Sequence, residues 1–309
     1  MVLIFLGTPA FAVPTLERLQ EAGHRVIAVF TQPDRPKGRG GQLTATPVKE
    51  AALRLGVPVH QPERVRRPEV VEQLRAMRPE AMVVVGYGQI IPQAIIDIPP
   101  RGIINVHASL LPKYRGAAPI QWAIANGETS TGVTTMKIDA GLDTGDMLAK
   151  WETGIGPEED ALHLGARLAV AGAQLLVDTL RDDPAPVRQN ADEASYAPIL
   201  KKEDGEIDWN WPAAKIFNRS RGFLPWPGTY TFLRGQMLHI WRSHVASGTE
   251  GAEPGRVMPQ KKRLLIACGE GTVLEALEVQ MEGRKRILAE AFLNGQQLKE
   301  GDILGDKAA

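Results

Sequence analysis

I-I-N-V-H-A-S-L-L-P-K-Y-R-G, residues 103–116, joins a buried strand to a polar and basic loop. Asn105 and His107 alternate along the end of this strand, so their side chains leave the same face. Lys113 and Arg115 then give the loop a basic rim. Open α/β sheets bind ligands at the carboxyl ends of their strands, so we expect an amide and an imidazole at a ligand site. His107 alone is also consistent with a core histidine that has one backbone partner.

A second block, D-A-G-L-D-T-G-D-M-L at residues 139–148, places Asp143 between Gly141 and Gly145. An acidic residue beside glycines can serve only to form a turn. Taken with Asn105 and His107, however, Asp143 completes a set able to move a proton and to stabilise an oxyanion. We therefore predict that the two blocks meet at one site.

Composition limits the class of protein. The chain has 309 residues, 43% of them hydrophobic, and a formal net charge of zero, which together predict about two domains with a large core. The single cysteine, Cys268, excludes a disulfide framework and a Cys-rich zinc site and is typical of a reducing compartment. The N-terminal apolar run is too short for a signal or a membrane span, so we expect a soluble, cytoplasmic protein.

Strand and helix patterns alternate along the first two thirds of the chain, which predicts an α/β fold with a doubly wound, Rossmann-like parallel sheet. The turn F-L-G-T-P-A-F-A, at residues 5–12, has one glycine where a dinucleotide fingerprint needs three, so we expect no nicotinamide cofactor. Besides the end of the strand at 103–106, strands are predicted at 2–6, 25–30, 57–60, 81–85, 131–138 and 146–152, and helices from the first turn to about residue 22 and at 47–55, 68–77, 119–125 and 158–180.

Residues 31–47, T-Q-P-D-R-P-K-G-R-G-G-Q-L-T-A-T-P, form a connection longer than the fold requires. The segment is rich in Gly and Pro and carries Arg35, Lys37 and Arg39. One interpretation is a solvated surface loop. The other is a mobile arm that closes on an anionic partner through its Arg and Lys side chains.

The last third of the chain has a different composition. Residues 190–206 read as an acidic linker, and residues 207–309 contain short alternating runs separated by turns, which predicts a small OB-like β-barrel. Residues 1–206 carry 22 Lys and Arg against 25 Asp and Glu, a net charge of −3. Residues 207–309 carry 14 Lys and Arg against 11 Asp and Glu, a net charge of +3. We thus predict a first domain at 1–189, a linker at 190–206 and a basic second domain at 207–309.

These blocks together resemble the methionyl-tRNA formyltransferase family. I-N-V-H-A-S-L-L-P-K-Y-R-G-A-A-P-I-Q at 104–121 and G-L-D-T-G-D-M-L at 141–148 resemble a core shared by formyltransferases that use 10-formyltetrahydrofolate. T-Q-P-D-R-P-K-G-R-G at 31–40, L-K-K-E-D-G-E-I-D-W at 200–209 and G-F-L-P-W-P-G at 222–228 resemble the tRNA enzyme in particular.

The resemblance implies a function and a set of site residues. It implies formyl transfer from 10-formyltetrahydrofolate, as co-substrate, to the α-amine of initiator methionyl-tRNA, by a monomer that needs no metal or membrane. Tetrahydrofolate and the tRNA are then the partners, and residues 207–309 bind tRNA. The implied residues are, for catalysis, Asn105, His107 and Asp143; for folate, Ser109, Leu110, Leu111, Pro112, Val85, Gly86 and Tyr87; and for tRNA, Arg35, Lys37, Arg39 and Lys113.

Two other functions stay open at this point. The same core could formylate a small amine, such as an amino-sugar nucleotide, and such an enzyme would not need residues 31–47 to engage tRNA. A tRNA- or folate-binding module without turnover is the other, although an intact Asn105, His107 and Asp143 set disfavours it. Tight, salt-sensitive tRNA binding separates the first of these from the tRNA enzyme, and an activity assay separates the second.

Overall fold

The computed structural model describes residues 1–37, 42–248, 251–260, 262–296, 298–299 and 301–306. The chain divides into two compact units, of which the first comprises residues 1–119, 130–154 and 165–198 and the second comprises 120–129, 155–164 and 199–309. The domain boundaries at 189 and 206 stay a prediction. Within the described ranges, no helix combines the length and apolarity that crossing a membrane requires.

Seventeen strands and eight helices follow one another along the described chain. Up to residue 198 they are β1 Val2–Gly7, α1 Val13–Glu21, β2 Arg25–Phe30, β3 Arg35–Lys37, β4 Gln42–Thr44, α2 Pro47–Arg54, β5 Val59–His60, α3 Pro68–Ala76, β6 Ala81–Val85, α4 Gln93–Ile96, β7 Ile103–His107, β8 Arg115–Gly116, α5 Pro119–Ala125, β9 Ser130–Lys137, β10 Met147–Gly154, α6 Ala161–Asp182 and β11 Tyr196–Ala197.

The first unit is built on a seven-stranded sheet in the order β10-β9-β7-β6-β1-β2-β5. Strands β5, β2, β1, β6 and β7 are parallel, as the alternating pattern predicts, and the Rossmann-like fold is confirmed. Strand β9 runs antiparallel to both β7 and β10, so the sheet is mixed at this end. The chain order reverses between β1 and β6, which makes their carboxyl ends the switch point where such sheets bind ligands.

Sequence explains the central strands directly. β1 reads V-L-I-F-L-G, and its residues from Leu3 to Leu6 are fully buried. Strands covered by helices on both faces read as continuous apolar runs rather than as alternating ones. The helix after the β3–β4 segment begins at Pro47, and the Thr46 hydroxyl caps it by accepting the Lys49 N–H at 3.1 Å. These local signals explain why the boundaries of this region follow from sequence.

The long connection at 31–47 contains a short hairpin, which the sequence did not predict. β3 and β4 pair antiparallel, with Arg35 opposite Thr44. The hairpin is anchored at its base by Asp34, whose carboxylate accepts hydrogen bonds from Lys49 Nζ at 2.5 Å and Gln61 Nε2 at 2.7 Å. Both bonds hold the pKa of Asp34 below its ordinary value, and the bond from Lys49 has the larger effect.

The second unit contains an antiparallel sheet in the order β12-β13-β16-β15-β14, with β17 paired to β16. Its core packs Trp209, Ile216 and Phe292 with the inward side chains of the strands. The expectation of a small antiparallel OB-like domain is confirmed. Its elements are α7 Ala213–Gly222, β12 Thr229–Leu233, β13 Gln236–Ala246, β14 Val257–Gln260, β15 Arg263–Ala267, β16 Val273–Met281, β17 Ile287–Leu288 and α8 Ala289–Gln296.

Candidate active site

Strand β7 carries the first two candidate residues to the carboxyl edge of the sheet. Asn105 lies beside Val84 of β6 and Met136 of β9, and His107, the last residue of the strand, lies beside Thr134. Asn105 is 8% exposed and His107 is 6% exposed. Both side chains therefore lie in largely dehydrated surroundings, where hydrogen bonds and charges act more strongly than in water.

The two ring nitrogens of His107 face different partners. Nε2 lies 2.9 Å from the carbonyl oxygen of Tyr114, which can only accept, so Nε2 carries a hydrogen. Nδ1 lies 3.7 Å from Oδ2 of Asp143. The contact of Nε2 is what we expect of a core histidine with one backbone partner. The contact of Nδ1 with Asp143 is what we expect of a site residue. The structure brings His107 and Asp143 together although they lie 36 positions apart in sequence.

The loop that carries Asp143 is tightly organised. Asp143 has φ +51°, a left-handed conformation that few non-glycine residues adopt. Its Oδ2 accepts the Gly116 N–H at 2.8 Å. The Asp139 carboxylate supports the turn by accepting hydrogen bonds from the Gly141 N–H at 3.0 Å and the Thr144 hydroxyl at 2.8 Å. The turn geometry therefore presents the Asp143 carboxylate to the end of β7.

A substitution at Gly116 tests how much the site depends on this backbone geometry. It has φ +119°, and a Cβ atom there would lie 2.6 Å from the Ala197 carbonyl oxygen. Gly116→Ala must strain or shift the backbone that donates to Asp143, so we expect a loss of about 1–3 kcal/mol in the free energy of unfolding, together with lower turnover. Thermal unfolding and a kinetic assay measure the two effects.

Gly23→Ala is the matched control for Gly116→Ala. Gly23 also has a positive φ, +80°, but nothing lies within 4 Å of the Cβ that alanine would add. We expect this variant to lose stability from backbone strain and to keep normal turnover per folded molecule. Equal turnover in Gly116→Ala and Gly23→Ala would contradict a special role for the Gly116 backbone.

The loop that follows β7 holds the first group of predicted folate residues. The Ser109 hydroxyl donates to the Lys113 carbonyl at 2.6 Å, and the Thr134 hydroxyl donates to the Ser109 carbonyl at 2.7 Å. Thr134 also accepts the Leu111 N–H at 3.1 Å. Leu110 is partly exposed, Leu111 and Pro112 are buried, and the peptide bond between the last two is cis. The loop is therefore a fixed turn directly beside His107.

The second predicted folate group follows β6, the neighbour of β7. The Tyr87 carbonyl accepts hydrogen bonds from the Thr8 hydroxyl at 3.0 Å and from Gln32 Nε2 at 3.1 Å. The Tyr87 side chain is buried in the core, which raises its pKa to about 12, and its hydroxyl has no hydrogen-bond partner among the described residues. Val85 ends the strand fully buried, and Gly86 has φ +57°. Only the backbone of this group is thus placed to meet a ligand.

The predicted basic residues are described unevenly. Lys113 is exposed on the loop after β7, and Arg35 is exposed on β3. Lys37 ends β3, and the structure describes its backbone only. Arg39 lies outside the described residues. Arg115, predicted on the basic rim, is instead 5% exposed, because its guanidinium points inward. The rim prediction is wrong for Arg115.

Sequence reasoning missed Gln189, which links Arg115 to the Asp143 loop. Gln189 accepts hydrogen bonds from Arg115 Nε at 3.0 Å and Nη2 at 2.8 Å. The Gln189 amide nitrogen donates to the carbonyls of Asp143 and Gly145, both at 2.8 Å. Arg115 and Gln189 lie 74 positions apart, which explains why no local pattern indicated the contact. Among the residues described, no group of three or more His, Cys, Asp or Glu side chains could hold a metal ion.

Comparisons with known proteins identify the family of the chain. The formyl transferase family matches residues 1–180, and the formyl transferase C-terminal domain matches residues 199–297. A methionyl-tRNA formyltransferase of Solibacter usitatus is 64% identical over 310 residues, covering 99% of both chains. One of Koribacter versatilis is 56% identical over 310 residues, also covering 99% of both chains.

Solved structures share the fold at lower identity. An N-formyltransferase from Helicobacter canadensis, in complex with folinic acid and dTDP-3-aminofucose, is 19% identical with a TM-score of 0.66, over 91% of this chain and 100% of that one. A methionyl-tRNA formyltransferase from Clostridium thermocellum is 19% identical with a TM-score of 0.58, over 81% of this chain and 95% of that one. The chain therefore belongs to the formyl transferase family, with methionyl-tRNA formyltransferases as its full-length relatives.

Proposed function

We propose that this chain transfers the formyl group of 10-formyltetrahydrofolate to the α-amine of initiator methionyl-tRNA, and so acts in translation initiation in the cytoplasm. One observation carries the chemistry: Asp143 Oδ2 lies 3.7 Å from His107 Nδ1, and Asn105 precedes His107 on the same face of β7. Methionyl-tRNA as the acceptor is supported by relatives that carry this name at 64% and 56% identity over almost the whole chain.

Asp143 is the proposed base. The attacking α-amine must be unprotonated, and such an amine titrates near ~8 in simple peptides, so a carboxylate beside it promotes attack. Oδ2 is engaged by the Gly116 N–H, which leaves Oδ1 as the oxygen proposed to take the proton, directly or through a water molecule. The N–C bond to the new formyl group forms as the amine proton moves to Asp143.

Asn105 and His107 are the proposed oxyanion stabilisers. Attack on the formyl carbon places negative charge on the formyl oxygen, and the Asn105 amide can donate to that oxygen. The Tyr114 carbonyl accepts from Nε2 of His107, and the Asp143 carboxylate faces Nδ1, so the imidazole ring is held in one orientation. We propose that the protonated form of His107 stabilises the developing oxyanion together with Asn105. The bond from N10 to the formyl carbon then breaks as N10 takes the proton held by Asp143, directly or through a water molecule, and tetrahydrofolate leaves.

Two backbone segments are the proposed folate contacts. The turn of Ser109, Leu110, Leu111 and Pro112 is fixed by Thr134 next to His107, and it would hold the formyl-bearing part of the folate. The backbone of Val85, Gly86 and Tyr87, which leaves the neighbouring strand, would read the pterin. The Tyr87 side chain has no part in this proposal because it is buried in the core.

Basic residues are the proposed tRNA contacts. The residues are Arg35, Lys37, Arg39 and Lys113, and phosphate contacts of this kind supply affinity and position rather than sequence reading. Residues 207–309, with a net charge of +3, form the proposed tRNA-binding domain. We further propose that residues 1–189 form the catalytic domain, with 190–206 as the linker, and that the enzyme acts as a monomer.

Arg39→Ala tests the role of the basic segment at 31–47. Loss of one phosphate contact is expected to raise the KM for methionyl-tRNA by roughly tenfold and to lower the salt dependence of tRNA binding by about one counterion. The KM for 10-formyltetrahydrofolate is expected to stay unchanged. Steady-state kinetics at several salt concentrations measure both constants. Unchanged kinetic constants for the tRNA would refute the contact. Arg54→Ala, a change at an exposed arginine on α2, serves as the charge-matched control.

Formyl transfer itself is the decisive experiment for the proposed function. The enzyme is incubated with 10-formyltetrahydrofolate and charged initiator methionyl-tRNA, with uncharged tRNA and amino-sugar nucleotides as controls. Formyl-methionine formed only from the charged tRNA is the expected result. Transfer to a small amine, or consumption of the folate without formyl-methionine, would contradict the proposed acceptor.

A further inference from the structure

The chain that follows α6 returns to both loops of the candidate site. We call residues 187–197 the return segment. Val187 and Met147 exchange two backbone hydrogen bonds of 2.8 Å, which ties the start of the return segment to the strand after the Asp143 loop. Near its end, the Ser195 hydroxyl accepts the Tyr114 N–H at 2.9 Å. The return segment therefore contacts the neighbours of His107 and of Asp143 at once.

Gln189 occupies the centre of the return segment, and its amide is fully used. An amide group offers one oxygen with two acceptor positions and one nitrogen with two donor hydrogens. The oxygen accepts both hydrogen bonds from Arg115, and the nitrogen donates to the carbonyls of Asp143 and Gly145. Gln189 is 7% exposed, so these four bonds replace water almost completely.

The chemistry of this position explains the choice of glutamine. A buried guanidinium needs acceptors, and two backbone carbonyls need donors. Glutamine satisfies both requirements with one planar group, whereas a glutamate would satisfy Arg115 and present only oxygens to the carbonyls of Asp143 and Gly145. Gln189 thus links the strand after the His107 loop to the backbone of the Asp143 loop through these four bonds.

We propose that Gln189 is a positioning residue for formyl transfer, which holds the Asp143 carboxylate at its distance from His107. The proposal rests on the proposed function. Asp143 has φ +51°, which an L-residue keeps only where its surroundings enforce it. The two hydrogen bonds from Gln189 hold the carbonyls of Asp143 and Gly145 and so enforce that conformation. Arg115 fixes Gln189 in turn, and the residue next to Arg115, Gly116, donates to the Asp143 carboxylate.

Gln189→Glu tests this role because it keeps the size of the side chain and its bonds to Arg115. The two donor bonds become contacts between oxygens, so the Asp143 loop is expected to relax. A displacement near 1 Å in a catalytic group costs about 10²-fold in rate, so we expect kcat to fall by roughly 10–100-fold. The KM for 10-formyltetrahydrofolate is expected to change little, since Gln189 contacts neither proposed folate segment.

A second measurement does not depend on activity. The Gly116 amide hydrogen is bonded to Asp143 Oδ2, so its exchange rate, followed by NMR, reports whether the carboxylate is in place. We expect this exchange to be at least about tenfold faster in Gln189→Glu than in the wild type, as loss of the hydrogen bond implies.

Gln174→Glu is the matched control. Gln174 has nearly the same bonds, since its oxygen accepts from Arg18 Nε at 3.0 Å and Nη2 at 2.8 Å and its nitrogen donates to Asp178. It lies on α6, away from Asp143, so we expect normal kcat and normal Gly116 exchange. An unchanged kcat in Gln189→Glu, or unchanged Gly116 exchange, would overturn the positioning role. A wild-type enzyme that does not formylate methionyl-tRNA would overturn the proposed function, and the Gly116 exchange would still decide whether Gln189 holds Asp143.

Discussion

Asp143→Asn is expected to lower kcat for formyl transfer by about 10³-fold, within the range that general acid–base catalysis supplies. The change is nearly isosteric, and the amide oxygen of asparagine can still accept the Gly116 N–H that Asp143 Oδ2 accepts at 2.8 Å. The backbone of the loop therefore keeps its supports. What disappears is the negative charge facing His107 Nδ1 and the ability to accept the amine proton.

Single-turnover formyl transfer and tetrahydrofolate binding together test this prediction. Tetrahydrofolate affinity should stay close to that of the wild type, because neither proposed folate segment includes Asp143. Asp139→Asn is the control within the same loop: its exposed carboxylate supports Gly141 and Thr144 but does not face His107. We expect Asp139→Asn to change the rate of formyl transfer by a few-fold at most. Near-normal turnover in Asp143→Asn would refute the role as base.

Much of the fold follows from local sequence. The strand predicted at 25–30 and the helix predicted at 119–125 match β2 and α5 at both ends, because apolar periodicity and the flanking turn residues act over a few positions only. The identity of Asn105, His107 and Asp143 as one set was also predictable in part. An amide and an imidazole at a strand end, and an acid between glycines, each indicate a site through their position in the sequence.

Some elements were missed. Helix α7 lies in the part of the chain whose short alternating runs and turns predicted strands, so the helix at Ala213–Gly222 was not predicted. The β3–β4 hairpin is only three residues long on each side, and Pro and Gly dominate its surroundings. The Asp34 contacts at the base of the hairpin connect residues up to 27 positions apart, so no local pattern indicates them.

The support of the catalytic set was not predictable at all from sequence pattern. Arg115 reads as a surface charge, and its burial follows only from Gln189, which lies 74 residues later. The backbone carbonyl of Tyr114 accepts the hydrogen bond from His107 Nε2. Every residue has such a carbonyl group, so the identity of Tyr114 does not indicate the contact. Sequence therefore indicated the candidate groups, whereas the hydrogen bonds that surround them arise from the tertiary fold.

Asn105→Ala is expected to lower kcat by about 10²–10³-fold, the usual cost of removing one oxyanion donor. Asn105 is 8% exposed on β7, so little water can enter to replace its amide without rearrangement of the site. Asn105→Asp should be more damaging, because a carboxylate keeps the size of the side chain but repels the developing negative charge on the formyl oxygen.

Binding of tetrahydrofolate distinguishes an oxyanion role of Asn105 from a role in binding the folate. Tetrahydrofolate lacks the formyl oxygen, so its affinity should be nearly unchanged in both variants while kcat falls. Far-ultraviolet circular dichroism checks that each variant is folded, and Thr44→Ala, an exposed change on β4, provides a baseline. If tetrahydrofolate affinity fell as much as kcat, Asn105 would bind the folate in its ground state. Of Asn105, His107 and Asp143, His107 alone would then have to stabilise the charge on the formyl oxygen.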